Sequence, residues 1–295
     1  MPAQIISGNE VAKQIREELK QEIAELKAKH NVVPGLVTVL VGADPASQVY
    51  VGGKEKTSKE LGIYSERYDL PEKTTQKELI ALIKKLNKNP KIHGILVQLP
   101  LPKHINETEV LYVIDPKKDV DGFHPVNVGK LMIGEPDFLP CTPHGIQQLL
   151  IRSGVKTDGA EVVVVGRSNI VGKPIANIML QKKKGANATV TICHTATRDM
   201  AFHTRRADIL IVAVGRPKAI TADMVKEGVV VIDVGVNEIG KTADGKRILV
   251  GDVDFEAVKE KAKAITPVPG GVGPMTITML MVNTVRAAKL AAGLV

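Results

Sequence analysis

From Glu161 to Gly235 the chain repeats one pattern: a short run of β-branched residues, a turn, then a stretch with helical spacing. The runs are "EVVVVG", "ATVTICH", "ADILIVAVG" and "GVVVIDVG". Strands separated by helices cannot be joined as hairpins. Each return needs a crossover, so the pattern predicts a parallel, doubly wound sheet with helices on both faces. A shorter run near "KAITPV" is expected to close that sheet, and a helix is expected to open near Val171.

The first half of the chain alternates too. Val11, Ile15, Leu19, Ile23 and Leu26 recur every three to four residues and predict an amphipathic helix. "LVTVLVG" reads as a buried strand, a helical pattern follows from Gln48 to Leu61, "KELIALIKKLNKN" is a further helix, and "IHGILVQLPLP" is a strand ending in prolines. The expected fold class is therefore α/β with two domains, residues 1–140 and 141–274. Residues 275–295 follow a proline suited to a first helical turn and read as a long helix packing back on the first domain.

Bulk composition narrows the function. With 44% apolar and 24% charged residues the 295-residue chain is globular, and with no Trp, four Phe and four Tyr its cores must be aliphatic. Cys141 and Cys193 stand far apart without C-x-x-C spacing, which argues against a disulfide framework or a metal site. The N-terminus lacks the basic and apolar regions of a signal peptide. The longest apolar stretch, "MTITMLMVNTV", contains polar residues and is about half of the ~20 residues that span a bilayer. A cytoplasmic protein without a membrane partner is expected. The formal charge of +8 is scattered through helical patterns, and no basic stripe with interleaved aromatics suggests nucleic acid. A modest positive field suits a small polyanion.

"VVVVGRSNIVGKP" places Gly166, Ser168 and Gly172 between a strand and a helix. A Rossmann fingerprint is G-x-G-x-x-G; here the second glycine is Ser168 and the third is displaced by one residue. Small residues let the backbone approach a pyrophosphate at the helix N-terminus. The second strand ends "TICHTATR" without the acid that holds a ribose 2′-hydroxyl in NAD-binding folds. Arg167 in the loop suits a 2′-phosphate, so NADP is expected over NAD. Taken alone, Arg167 has a second and weaker reading as an ordinary surface charge.

"SQVYVGGKEK" puts Tyr50 and Lys54 on one face of a helix. The Tyr-x-x-x-Lys pair of short-chain dehydrogenases follows its cofactor loop, whereas this pair precedes it. "GILVQLPLP" ends a strand at Gln98, "KKDVDGFHPVNVGK" places Asp119 and Asp121 on a turn, and "TPVPGGVGPMT" packs glycines and prolines before an apolar helix. Together with "YVGGK" and "GRSNIVG", these stretches resemble, in order and spacing over the whole chain, the bacterial bifunctional methylenetetrahydrofolate dehydrogenase/cyclohydrolase family.

The resemblance implies that residues 1–140 bind folate and residues 141–274 bind NADP. It makes Lys54 catalytic, with Tyr50 beside it, Gln98 in contact with it and Asp121 holding the pterin ring. Ser47, Val97 and Leu99 are implied to line the folate site, with Pro269, Gly270, Gly271, Val272, Gly273 and Pro274 of the glycine loop. Gly166, Arg167, Ser168, Thr195 and Val236 are implied to contact the cofactor. It also implies tetrahydrofolate one-carbon derivatives as substrates and a homodimer. Gly52 and Gly53 within the Tyr50–Lys54 turn raise two expectations: a looser helix, because glycine costs roughly 0.5–1 kcal/mol in a helix interior, or else close packing or entry of the ligand. A reductase of the shikimate dehydrogenase type shares the two-domain plan but has no use for "PGGVGPMT".

Overall fold

The computed structural model describes residues 3–242 and 244–295, apart from the side chain of Ala46. The first half contains β1 (Gln4–Ile5), α1 (Gly8–His30), β2 (Gly35–Val41), α2 (Pro45–Leu61), β3 (Tyr64–Leu70), α3 (Gln76–Asn87), β4 (Gly94–Val97), α4 (Glu107–Leu111), α5 (Pro125–Met132) and α6 (Cys141–Arg152). The second contains β5 (Glu161–Val165), α7 (Gly172–Leu180), β6 (Thr189–Cys193), α8 (Met200–Thr204), β7 (Ile209–Val212), a 3-10 turn (Ala222–Met224) and β8 (Val230–Asp233). The hairpin β9 (Asn237–Lys241) and β10 (Arg247–Val250) follows, then α9 (Phe255–Val258), β11 (Ala264–Ile265) and α10 (Val272–Ala291).

The chain divides into two compact units, and the division falls within α1, α6 and α10. One unit comprises Gln14–Cys141 with Ile277–Val295. Its sheet is β3-β2-β4, all parallel. The central strand β2 is buried at every position, as a strand covered on both faces must be. The edge strand β3, "YSERYDL", carries no apolar run, and its register with β2 from Gly35↔Tyr64 to Val41↔Leu70 makes it a strand. Two helices carry their own start signals. The side chain of Asp44 accepts the Ser47 N–H ahead of Pro45 in α2, and Thr75 with Glu78 forms a capping box on α3. Val37, Val39, Leu79, Ile83 and Ile95 form the core.

The other unit comprises the residues up to Lys13 with Thr142–Thr276. Its six strands are parallel in the order β1-β11-β8-β7-β5-β6. All four runs identified in the sequence are strands here. The expected closing strand, β11, is not the edge: β1 adds beyond it, pairing Gln4 with Ala264 and Ile5 with Ile265. Two residues are too few to show a period, so only the pairing reveals this strand. The hairpin β9–β10 is mostly exposed and likewise lacks an apolar run. From β5 the chain adds β6 on one side, then returns to place β7, β8 and β11 in turn on the other. The direction reverses between β5 and β7, the switch point outside which ligands bind in such sheets.

Candidate active site

Helix α2 sets Tyr50 and Lys54 one turn apart. Tyr50 is 39% exposed, whereas Lys54 is only 8% exposed. The Lys54 Nζ donates to Gln98 Oε1 at 2.8 Å. Gln98 directly follows β4, and its N–H donates to the Val39 carbonyl at 2.9 Å and its side-chain amide to the Leu99 carbonyl at 2.7 Å. The acceptor for the lysine is thus fixed by strand pairing. Burial pulls the pKa of Lys54 below its ordinary value, opposed by the charge of Asp121. Burial also pushes Asp121 up, opposed by Lys54. Desolvation moves both groups toward neutrality, and their attraction restrains it. Ser47 and Val97 are buried, Leu99 is partly buried, and Asp121 is half-buried.

The two aspartates of "KDVDG" divide their duties. Asp119 Oδ2 accepts the His124 N–H and the Asn127 side-chain amide, both at 2.8 Å, so it holds the local turn. Asp121 instead lies beside the buried Cys141, whose thiol donates to the Val120 carbonyl at 3.4 Å and which burial and that carboxylate push well above its ordinary pKa. Sequence reasoning missed Asn283 on α10. Its Nδ2 donates to the carbonyls of Val120 at 2.7 Å and Leu139 at 2.8 Å, which pins the residue preceding Asp121. Its one signal in sequence is an amide inside an apolar helix. Gly52 and Gly53 do not interrupt α2. A Cβ on Gly53 would stand 3.2 Å from Ile277 Cδ1, so this glycine allows close packing rather than looseness, while one on Gly52 would meet nothing within 4 Å.

In the other unit, Gly166–Ser168 follows β5, Thr195 follows β6 and Val236 follows β8, all at the carboxyl edge of the sheet. Gly166 has φ 134°, and a Cβ there would lie 2.3 Å from the Ala213 carbonyl oxygen. A Cβ on Gly172 would lie 2.2 Å from the Gly166 oxygen. The turn, the end of β7 and the start of α7 are therefore pressed backbone to backbone. Ser168, where the fingerprint has its second glycine, accepts the N–H groups of Val171 and Gly172 at 3.1 and 3.3 Å and so helps cap α7. Arg167, Thr195 and Val236 are exposed. Small residues, a helix N-terminus and free side chains at a switch point fit a dinucleotide.

The glycine loop belongs to this same unit, and the chain's own start answers for much of its bareness. The Asn9 N–H donates to the Gly270 carbonyl at 3.2 Å. Gly271 approaches so closely that a Cβ on Gly8 would lie 1.7 Å from its oxygen, and a Cβ on Gly271 itself would lie 2.5 Å from the Pro267 oxygen. Pro269 is exposed, Val272 is buried at the start of α10, and Pro274 lies in its first turn. A Cβ on Gly273 would meet nothing within 4 Å, which leaves an open face.

A parallel sheet with a glycine turn at its switch point defines a dinucleotide-binding class of fold, and the same chain carries a buried lysine held at a strand end. Residues 6–121 match the model of the tetrahydrofolate dehydrogenase/cyclohydrolase catalytic domain, and residues 140–292 match that of the family's NAD(P)-binding domain. The chain is 71% identical over 294 residues to the bifunctional protein FolD of Syntrophus aciditrophicus, covering 100% of each. It is similar to the crystal structure of bifunctional FolD from Campylobacter jejuni, with TM-score 0.91, 49% identity and coverage of 98% and 99%. A Trypanosoma brucei FolD, solved with NADP cofactor and inhibitor, gives TM-score 0.93 at 40% identity, with 98% of each chain covered. The chain belongs to the tetrahydrofolate dehydrogenase/cyclohydrolase family. It is an enzyme with the family's two activities, methylenetetrahydrofolate dehydrogenase and methenyltetrahydrofolate cyclohydrolase.

Proposed function

We propose that this chain oxidises 5,10-methylenetetrahydrofolate with NADP+ and hydrolyses the methenyl product to 10-formyltetrahydrofolate, with Lys54 as the proton relay of the second step. The observation that carries the assignment is the buried Lys54 amine, held 2.8 Å from Gln98 Oε1, with its pKa pulled down by burial. Residues 1–140 supply the folate site and residues 141–274 the cofactor site, with 275–295 returning to the first.

NADP+, when bound, accepts the hydride that leaves the one-carbon bridge with its bonding pair. Gly166, Ser168 and the start of α7 are suited to its pyrophosphate, Arg167 to its 2′-phosphate, and Thr195 and Val236 to neighbouring contacts. The flanking nitrogens of folate stabilise the methenyl cation, so this step asks the protein chiefly for alignment. Hydrolysis asks for more. Water adds to the methenyl carbon and loses a proton to give a neutral carbinolamine. Its hydroxyl then loses the second proton to solvent as the carbonyl forms, while the bond from that carbon to one ring nitrogen breaks and that nitrogen gains a proton. An unprotonated Lys54 takes the first proton and returns it to the departing nitrogen. Gln98 orients Nζ, Tyr50 stands on the accessible side of the same helix, and ionised Asp121 accepts from the pterin N–H and exocyclic amine. Ser47, Val97 and Leu99 complete the folate contacts.

No helix among the described residues is long and apolar enough to cross a membrane, which is compatible with work in the cytoplasm. The resemblance favours a homodimer, and sedimentation tests that. The function itself is tested by mixing the protein with methylenetetrahydrofolate and NADP+ or NAD+. Absorbance from NADPH and methenyltetrahydrofolate is expected, followed by loss of the methenyl band. Equal kcat/KM with the two dinucleotides would overturn the NADP assignment.

A further inference from the structure

Two buried carboxylates beside the switch point take no part in the chemistry above. Asp252, between β10 and α9, is 0% exposed. Its Oδ2 accepts the N–H groups of Val214 at 2.6 Å and Gly215 at 2.9 Å. Its Oδ1 accepts the N–H of Arg216 and the side-chain amide of Asn237, both at 2.9 Å. Four donors converge on two oxygens, the complement of an ionised carboxylate. Asp233, the last residue of β8, holds Asp252 in place. Its Oδ1 accepts the main-chain N–H of Asp252 at 2.9 Å and of Gly235 at 3.0 Å, and its Oδ2 accepts that of Val253 at 2.9 Å.

The segments that Asp252 joins are those a dinucleotide at this edge must meet. Val214–Arg216 leaves β7 at the switch point, directly after Ala213, whose carbonyl faces Gly166. Asn237, the first residue of β9, directly follows Val236, an expected cofactor contact in the turn after β8. Gly235 has no room for a side chain, because a Cβ there would stand 2.2 Å from Asp252 Oδ1. We propose that Asp252 is a positioning residue for the dinucleotide site: it draws the turns after β7 and β8 into one fixed surface beside the Gly166 turn. The proposal rests on the reading that this edge takes NADP+.

Calorimetric titration of NADP+ into the unmutated chain, Asp252→Asn and Asn237→Ala tests it. Asparagine keeps the size of Asp252 but sets an N–H2 group against main-chain donors. NADP+ binding should weaken about tenfold or more, since hydrogen bonds to a charged group are stronger than those between neutral groups. Asn237→Ala removes one of the four donors and should weaken binding about two- to fivefold. The folate KM, read from cyclohydrolase turnover without dinucleotide, should move less than about twofold in both, a split that general loosening of the fold would not give. An unchanged NADP+ Kd in folded Asp252→Asn overturns the proposal, as does a folate KM that rises in step with the Kd. If Asp252→Asn does not fold, Asn237→Ala decides alone, and an unchanged Kd there overturns it. Failure of the unmutated chain to bind NADP+ overturns instead the cofactor reading on which the proposal stands.

Discussion

The surroundings of Lys54 and the carboxyl edge of the six-stranded sheet solve opposite problems. Around Lys54, ionisable side chains are taken out of water, each pulled toward neutrality by burial and held back by the other. At the sheet edge the surface is backbone, brought close by glycines at 166 and 172, with Arg167 and Thr195 left exposed. Proton transfer near neutral pH needs a desolvated amine, because an exposed lysine stays charged. A phosphate-rich ligand needs N–H donors and an approachable main chain, which desolvated charge would not supply.

Lys54→Met strikes this contrast hardest. It keeps the apolar stem and deletes the amine, so cyclohydrolase turnover should fall about 10²–10⁴-fold, with a smaller loss of dehydrogenase activity and unchanged NADP+ binding. Methenyltetrahydrofolate should then accumulate during turnover. Wild-type hydrolysis in a variant that has lost hydride transfer would place the relay elsewhere. The unmutated enzyme's pH profile sharpens the same point. Because the folded-state pKa of Lys54 lies below the ordinary 10.5, its unprotonated fraction grows as pH rises through that lowered value. Cyclohydrolase kcat should rise with pH, with a midpoint below 10.5, and Lys54→Met should lose that limb.

Asp121→Ala comes next. Loss of charge-assisted hydrogen bonds, roughly 1.5–3 kcal/mol, should raise the folate KM about 10–150-fold in both assays while NADP+ affinity stays put. A change in NADP+ affinity instead would break the assignment of this aspartate to folate. Arg167→Ala tests the other side. The KM for NADP+ should rise about tenfold and that for NAD+ little, as expected for loss of a charge-assisted contact to a 2′-phosphate. Parallel losses with both dinucleotides would make Arg167 a general phosphate ligand.

The smallest effect concerns Gly52, where a side chain would meet nothing. Gly52→Ala should raise stability by roughly 0.5–1 kcal/mol from helix propensity, read as a higher Tm. A rise in folate KM in that variant would show that substrate occupies the bare face.

Much of this contrast can be read directly from the residues. The β-branched runs predicted β5 to β8 because parallel strands buried on both faces must be apolar throughout, and that constraint is local. The same holds for the amphipathic spacing of α1, the Tyr50–Lys54 face of α2 and the glycine turn at Gly166. The strand β3 was invisible because an edge strand rich in Tyr, Glu and Arg looks like any polar segment until β2 pairs with it. The two residues of β1 carry too little pattern to identify them.

By itself, then, the sequence determined the α/β class, the alternation of elements, the glycine turn at Gly166 and the family resemblance, since each rests on neighbouring residues or on short motifs. Tertiary structure alone decided which polar groups lie buried and what they face. Asp119 rather than Asp121 holds the local turn, Asn283 pins Val120 from far along the chain, and Asp252 gathers Val214, Gly215, Arg216 and Asn237. A carboxylate or an amide has the same covalent chemistry in water and in a core. Its partners and its degree of desolvation arise only when segments distant in sequence close around it.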